Sequence, residues 1–151
     1  MPQSLNQVLI HVVFSTKGRS PWIKAPFKEP LHAYMAATVR QFERCVCYRV
    51  GGVEDHIHLA IGLSRTISIA DLVQKVKANS SRWIKEQDAS LSQFAWQGGY
   101  AVFSVNYTER DRLVAYIDRQ EEHHRKADFQ QEYLAFLREH DIEFDERYMW
   151  E

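Results

Sequence analysis

From residue 56 to residue 61 the chain reads His-Ile-His-Leu-Ala-Ile, an alternation with a period of two. Side chains along an extended strand point to opposite faces in turn, so Ile57, Leu59 and Ile61 share one face while His56, His58 and Ala60 share the other. The apolar face has to be covered by other elements of the chain. The histidine face carries no such demand, and the expectation is a sheet packed on one side and open on the side of the imidazoles.

The neighbouring segments supply such a sheet. Residues 5–16 (LNQVLIHVVFST) are rich in β-branched side chains and read as a central strand, while residues 45–53 pair with 56–63 through a turn at Glu54 and Asp55. Residues 26–42 become helical after Pro30. Residues 68–87 form a second helix, opened by Ser68 with Asp71, with Ile69, Leu72, Val73, Val76, Ser80 (the one polar member) and Trp83 on one stripe. Residues 94–105 read as a strand bent at Gly98 and Gly99, residues 109–126 as a helix capped by Thr108, and residues 129–141 as a last helix. The order β-α-β-β-α-β predicts an α+β protein with the ferredoxin-like split β-α-β arrangement, an antiparallel sheet and added C-terminal helices. A single domain over residues 1–151 is expected: a core over about 5–105, a helix over about 109–126, and a final helix and tail over about 129–151.

Charge is divided unevenly. Residues 1–85 carry a balance of +7 and residues 86–151 one of −8, for a net charge of −1. The first half thus offers a basic surface suited to phosphate, or merely a solvated face. Cys45 and Cys47 read as two reduced core residues, being too close for a bridge and too few for a zinc site. No apolar stretch approaches the length of a membrane span, and the first 14 residues lack a charged signal-peptide start, which reads as a cytoplasmic protein without membrane contact.

Two imidazoles at positions i and i+2 of a strand stand roughly 7 Å apart at Cα and can converge on one ion. They can also be structural, and two ligands alone make no competent site. A second feature bears on that choice. In residues 109–126, Leu113, Val114 and Ile117 mark the apolar stripe, while Tyr116 and Gln120 stack on its border and His123 and His124 follow one turn later. A helix packed for stability has no need of Gln there, although a tyrosine at a helix edge with solvated neighbours is the plainer alternative.

The segments EDHIHL, WQGGYAVFSVNYTERDRLVAYIDRQEEHHRK and FQQEYLAFLREHDIEFDERYMW resemble the single-tyrosine HUH transposases of bacterial insertion sequences, the IS200-like family that includes REP-associated tyrosine transposases. HUH denotes His-hydrophobic-His, and the resemblance runs from about Leu5 to Trp150. It implies an enzyme that cuts and rejoins single-stranded DNA bearing subterminal hairpins through a 5′-phosphotyrosine intermediate. By position, Tyr116 would be the nucleophile, and His56, His58 and Gln120 would hold Mg²⁺ or Mn²⁺. A homodimer is implied as well, in which the tyrosine helix of one subunit can serve the histidines of the other.

The residue types suit that chemistry. A phenol is a weak nucleophile at neutral pH, and a divalent ion polarises the phosphate it attacks. Exchange of one phosphoester for another conserves the bond for rejoining. Asp55 stands as either an orienting partner of a histidine or a turn residue, and His123 and His124 as contacts of the metal or, more simply, solvated positions. Lys17, Arg19, Lys75, Lys77, Arg82 and Lys85 are the candidates for DNA backbone contact. Trp22 and Tyr107 fit either base stacking or the core, and His11 either the border of the site or the core. Two other classes stay open: a non-catalytic nucleic-acid-binding protein of the same fold, domesticated from a mobile element, and a metal-dependent nuclease that uses water.

Overall fold

The computed structural model describes residues 2–151. Four strands, β1 (Leu9–Ser15), β2 (Val46–Val53), β3 (His56–Gly62) and β4 (Ala101–Val105), form one sheet in the order β2-β3-β1-β4, with every neighbouring pair antiparallel. The helices are α1 (Lys28–Arg40), α2 (Ile69–Gln87), α3 (Arg110–Asp118), α4 (Gln120–His123) and α5 (Phe129–Glu139). This is the expected split β-α-β order with a C-terminal addition.

One face of the sheet carries Ile10, Val12, Phe14, Ile57, Leu59 and Ile61 and is covered by Leu31, Met35 and Val39 of α1 and Leu72, Val73 and Val76 of α2. Ser68 caps α2 as expected, its side chain accepting the Asp71 N–H (3.1 Å). α1 begins two residues before Pro30, which is tolerated in a first turn because its missing N–H has no partner there.

The other face is not open. Leu113 and Ile117 of α3 pack on Leu9 and Ala60, and Phe129, Tyr133 and Leu137 of α5 pack on Val13, Ala101 and Phe103. His56 and His58 are consequently buried (0% exposed). The alternation in β3 places the two side-chain sets on opposite faces correctly, but it is silent on the cover that sequence-distant helices bring.

Further differences are local. β1 is shorter than residues 5–16, and the strand expected over 94–105 is regular only from Ala101, with Trp96 making a lone bridge to Thr16. The helix expected over 109–126 is broken at Arg119 (φ −98°, ψ 18°). There the Gln120 side-chain Nε2 donates to the Tyr116 carbonyl (3.4 Å), and the Arg119 N–H takes the same carbonyl (3.2 Å). A straight helix would give that carbonyl to the Gln120 N–H, so side-chain competition accounts for the break. Thr108 is not the cap; Asn106 accepts the Thr108 N–H (3.0 Å) and opens a single 3₁₀ turn ahead of α3.

The β2–β3 turn that presents His56 depends on Gly52, whose φ is +149°. A Cβ added there would lie 2.1 Å from the His56 carbonyl oxygen. Gly52→Ala is expected to cost about 3 kcal/mol in urea unfolding, through backbone strain and the forced shift of His56.

On α1, His32 is buried with its Nε2 unpartnered among the described residues, and burial, then the Lys28 charge, push its pKa down to about 4. The unfolded chain binds that proton near pH 6.5, so stability is full above that pH and falls as the pH drops toward 4, by about 2 kcal/mol between pH 7.5 and 5. His32→Leu is expected to remove that share of the acid sensitivity, read as a smaller shift of the urea midpoint between the two pH values.

Candidate active site

The buried face of β3 meets α3, α4 and α5 around one carboxylate, Glu132 of α5, which is 6% exposed. His58 Nε2 lies 3.0 Å from Glu132 Oε1, and His56 Nε2 lies 3.6 Å from the same oxygen. The Tyr116 hydroxyl donates to Glu132 Oε2. His124 Nε2 stands 3.3 Å from Oε1 and His123 Nε2 3.2 Å from Oε2. Gln120, almost fully buried, places Oε1 3.0 Å from His56 Nε2 and 2.9 Å from His124 Nε2. Tyr116, Gln120, His56 and His58 therefore come together within a single chain.

The back of each histidine is held. Asp55 Oδ1 pairs with His56 Nδ1 (2.8 Å), and His11 Nε2 pairs with His58 Nδ1 (2.7 Å). Asp55 is thus both a turn residue and a partner of His56, and His11 both a core residue and a neighbour of the site (2% exposed).

The donor set fits a divalent cation. A carboxylate only accepts, so a neutral imidazole giving its Nδ1–H to Asp55 turns a lone pair at Nε2 toward Gln120 Oε1, which is also an acceptor. Two acceptors facing each other at 3.0 Å repel unless a proton or cation lies between them. Ligands about 2.1 Å from an ion stand about 3.0 Å apart along an octahedral edge, the scale of the separations among His56, His58, Gln120 and Glu132. His56, His58 and Glu132 can hold a metal ion; His123, His124 and Glu132 form an overlapping second group.

Burial and mutual hydrogen bonding set the electrostatics. Burial pushes His58 down to about 4 against the opposing pull of Glu132, which favours the neutral imidazole that a metal requires. Burial alone would raise Glu132, but hydrogen bonds from His124, His58 and the Tyr116 hydroxyl hold it well below the carboxylate range. Burial, then the adjacent Glu132 carboxylate, push the Tyr116 phenol above its ordinary value. At rest the phenol keeps its proton and shares it with Glu132.

Sequence reasoning missed Glu132. Its signal was present: Phe129, Tyr133, Phe136, Leu137 and His140 follow helical spacing, and position 132 falls on that apolar stripe. A carboxylate where packing calls for an apolar residue marks a group that needs partners. His123 and His124 are not the solvated positions of the plainer reading; both face Glu132 and are partly buried.

The DNA-contact candidates divide. Lys17 and Arg19 lie on the turn after β1, at the end of the sheet where Ser15 pairs with His56, and Arg19 sits 5.2 Å over the Trp150 ring. Lys75, Arg82 and Lys85 are exposed on α2, across the sheet from the histidines. Lys77 is committed elsewhere: its ammonium donates to the carbonyls of Gln97 (2.7 Å) and Gly99 (2.8 Å), and burial lowers its pKa to about 8. Trp22 is half-buried against the core near Phe94, and Tyr107 is 39% exposed with the Arg110 guanidinium 4.8 Å over its ring. Among the described residues no helix is long and apolar enough to cross a membrane.

No curated protein matches the chain. Among the solved structures that share its fold are two transposases. A candidate transposase from Deinococcus radiodurans R1 is 19% identical, with a TM-score of 0.62 over 80% of this chain and 95% of that one. A REP-associated tyrosine transposase bound to a REP hairpin is 12% identical, with a TM-score of 0.60 over 82% of this chain and 72% of that one. The family model for IS200-like transposases matches residues 4–120, a span that holds both histidines of the pair, the tyrosine helix and Gln120, and the chain belongs to that family.

Proposed function

We propose that this protein is a metal-dependent transposase that cuts and rejoins single-stranded DNA through a covalent bond to Tyr116. The observation that carries the reading is the meeting of the Tyr116 hydroxyl with His56, His58, Gln120 and Glu132 in one buried cluster. His56, His58, Gln120 and Glu132 would hold Mg²⁺ or Mn²⁺, with Asp55 and His11 fixing the rings. A divalent cation there would polarise a non-bridging phosphate oxygen and offset the charge of displacement.

The chain's own groups divide the remaining work. The Tyr116 oxygen attacks phosphorus in line; the tyrosine–phosphorus bond forms, the bond to the 3′-oxygen breaks, and the phenolic proton, oriented by its hydrogen bond to Glu132 Oε2, is released to solvent. The 3′-oxygen leaves and is protonated from solvent. A phosphotyrosine linkage preserves the ester for a second DNA end, which water as nucleophile would forfeit.

The hairpin bound by the REP-associated neighbour supports single-stranded DNA with hairpins as the substrate here. Lys17 and Arg19 would meet DNA beside the His56 end, whereas Lys75, Arg82 and Lys85 would touch it only away from the cut. Tyr116 packs beside His58 of its own chain, which supports cleavage by the tyrosine of the same subunit, within or outside the homodimer the family implies. The test is incubation with Mn²⁺ and hairpin-bearing single-stranded DNA from the flanks of the gene, followed by denaturing electrophoresis. A protein–DNA species that survives SDS and is absent with EDTA supports the reading. Cleaved DNA with no such species would replace strand transfer by hydrolysis.

A further inference from the structure

The tyrosine helix carries a second pattern that catalysis at the cation does not use. Arg112, Tyr116, Arg119, His123 and Lys126 recur at steps of four, three, four and three, which is one helical stripe. Despite the break at Arg119, the structure keeps them together. With Glu122 they line a cavity of about 370 Å³, within the range of small ligand sites, and Tyr116 forms part of its wall.

The charge in this cavity is largely unspent. Arg119 Nε donates to the Ala115 carbonyl (3.2 Å), and among the described residues neither Arg119 nor Lys126 enters an ion pair. Arg112 pairs with Glu109 (3.2 Å), but both side chains are exposed, so the pair is weak and screened. His123 Nε2 is buried and has no hydrogen-bond partner although Glu132 is close. Three cations face one carboxylate across the nucleophile.

The cavity on the other flank of the site has the opposite character. It measures about 720 Å³, borders His124 and Asp55, and sets Lys24, Lys28 and Arg125 against five carboxylates. A polyanion is attracted to the first cavity and repelled by the second. The direction of displacement adds the polarity. In an in-line attack the leaving 3′-oxygen lies across phosphorus from the phenol, while the nucleotides 3′ of the cut stay bonded to phosphorus through their 5′-oxygen and so remain tethered to Tyr116 in the wall of the first cavity.

We propose that Arg112, Arg119 and Lys126 form a phosphate-binding cavity that holds the DNA backbone on the 3′ side of the cut. The assignment rests on the strand-transfer reading for its polarity and on charge and geometry for its existence. Basic surface for the substrate then lies in the acidic second half of the chain, where the overall charge balance gives no sign of it.

The experiment is done on the Tyr116→Phe protein, so that affinity is read without covalent chemistry. Fluorescence anisotropy follows 5′-phosphorylated and 3′-phosphorylated dodecathymidylate in Mn²⁺ over a salt series. The parent is expected to bind the 5′-phosphorylated strand more tightly. The R112Q/R119Q/K126Q variant is expected to lose at least about tenfold in affinity, and its salt slope to drop by about 2, from roughly 0.7 per phosphate contact on single strands. R40Q/R65Q, which removes two exposed charges at the far end of the fold, should stay within about twofold of the parent, and R112K/R119K should retain most of the affinity. Glutamine at these exposed positions leaves the melting curve as a check on folding. An unchanged affinity and slope in the triple variant would overturn the cavity, and equal binding of the two end-phosphorylated strands would overturn its polarity. The adduct assay on the Tyr116 protein is independent. A protein that forms the adduct yet ignores the triple substitution loses the cavity alone, and one that binds through the cavity yet forms no adduct loses strand transfer alone.

Discussion

Tyr116→Phe is expected to abolish the SDS-resistant protein–DNA species, a loss of at least about a thousandfold in cleavage, while the affinity for Mn²⁺ stays the same or rises slightly. The size follows from the lack of a substitute nucleophile. The Tyr116 oxygen is the hydroxyl that meets the Glu132 carboxylate, and phenylalanine keeps the ring that packs against His58 and His11 at centroid distances of 5.6 and 6.2 Å. The fold should therefore be intact. Removing the hydroxyl also frees one lone pair of Glu132, which can only help that carboxylate bind a cation. The three readings separate cleanly. A water-using nuclease keeps its cleavage in this variant, a non-catalytic binder shows none in either protein, and a tyrosine transposase loses it in the variant alone.

Glu132→Gln is expected to weaken Mn²⁺ binding by on the order of 100-fold in calorimetry. Gln120 and the two histidines are neutral ligands, so Glu132 would supply the only formal negative charge in contact with the ion. The amide is nearly isosteric and still offers an oxygen to His58 and His124, so packing is preserved while the charge is lost. The stability of the metal-free protein should move in the same direction by a smaller amount. Glu132 is held ionised by hydrogen bonds from His124, His58 and Tyr116, and replacing it leaves those donors a weaker acceptor. An unchanged Mn²⁺ affinity would assign Glu132 to packing and remove it from the ligand set.

The fold was largely legible because its strands and helices announce themselves locally. Residues 56–61 alternate, Ser68 caps α2, and the segment order admits the split β-α-β arrangement. The site was legible where its residues are close in sequence, as with His56 and His58 or Tyr116 and Gln120. What was not legible is long-range. β3 gives no hint that α5, some 75 residues later, lies over its histidines, since both a bare polar face and a buried ligand face read as alternation. Glu132 was hidden because a single carboxylate in a helix is usually solvated. The partners of Lys77 were hidden because a lysine off the apolar stripe normally reaches water, whereas here two carbonyls and the rings of Phe14 and Tyr100 hold it. The break at Arg119 has no glycine or proline to mark it and arises from a side-chain amide competing for a backbone carbonyl.

Crystals soaked in Mn²⁺, with diffraction recorded at the manganese edge, locate the ion directly. A single anomalous peak about 2.2 Å from the Nε2 atoms of His56 and His58 and from oxygens of Gln120 and Glu132 is the predicted result. A peak bound by His123 and His124 without the β3 histidines, or no ordered ion beside the Tyr116 hydroxyl, would contradict the account.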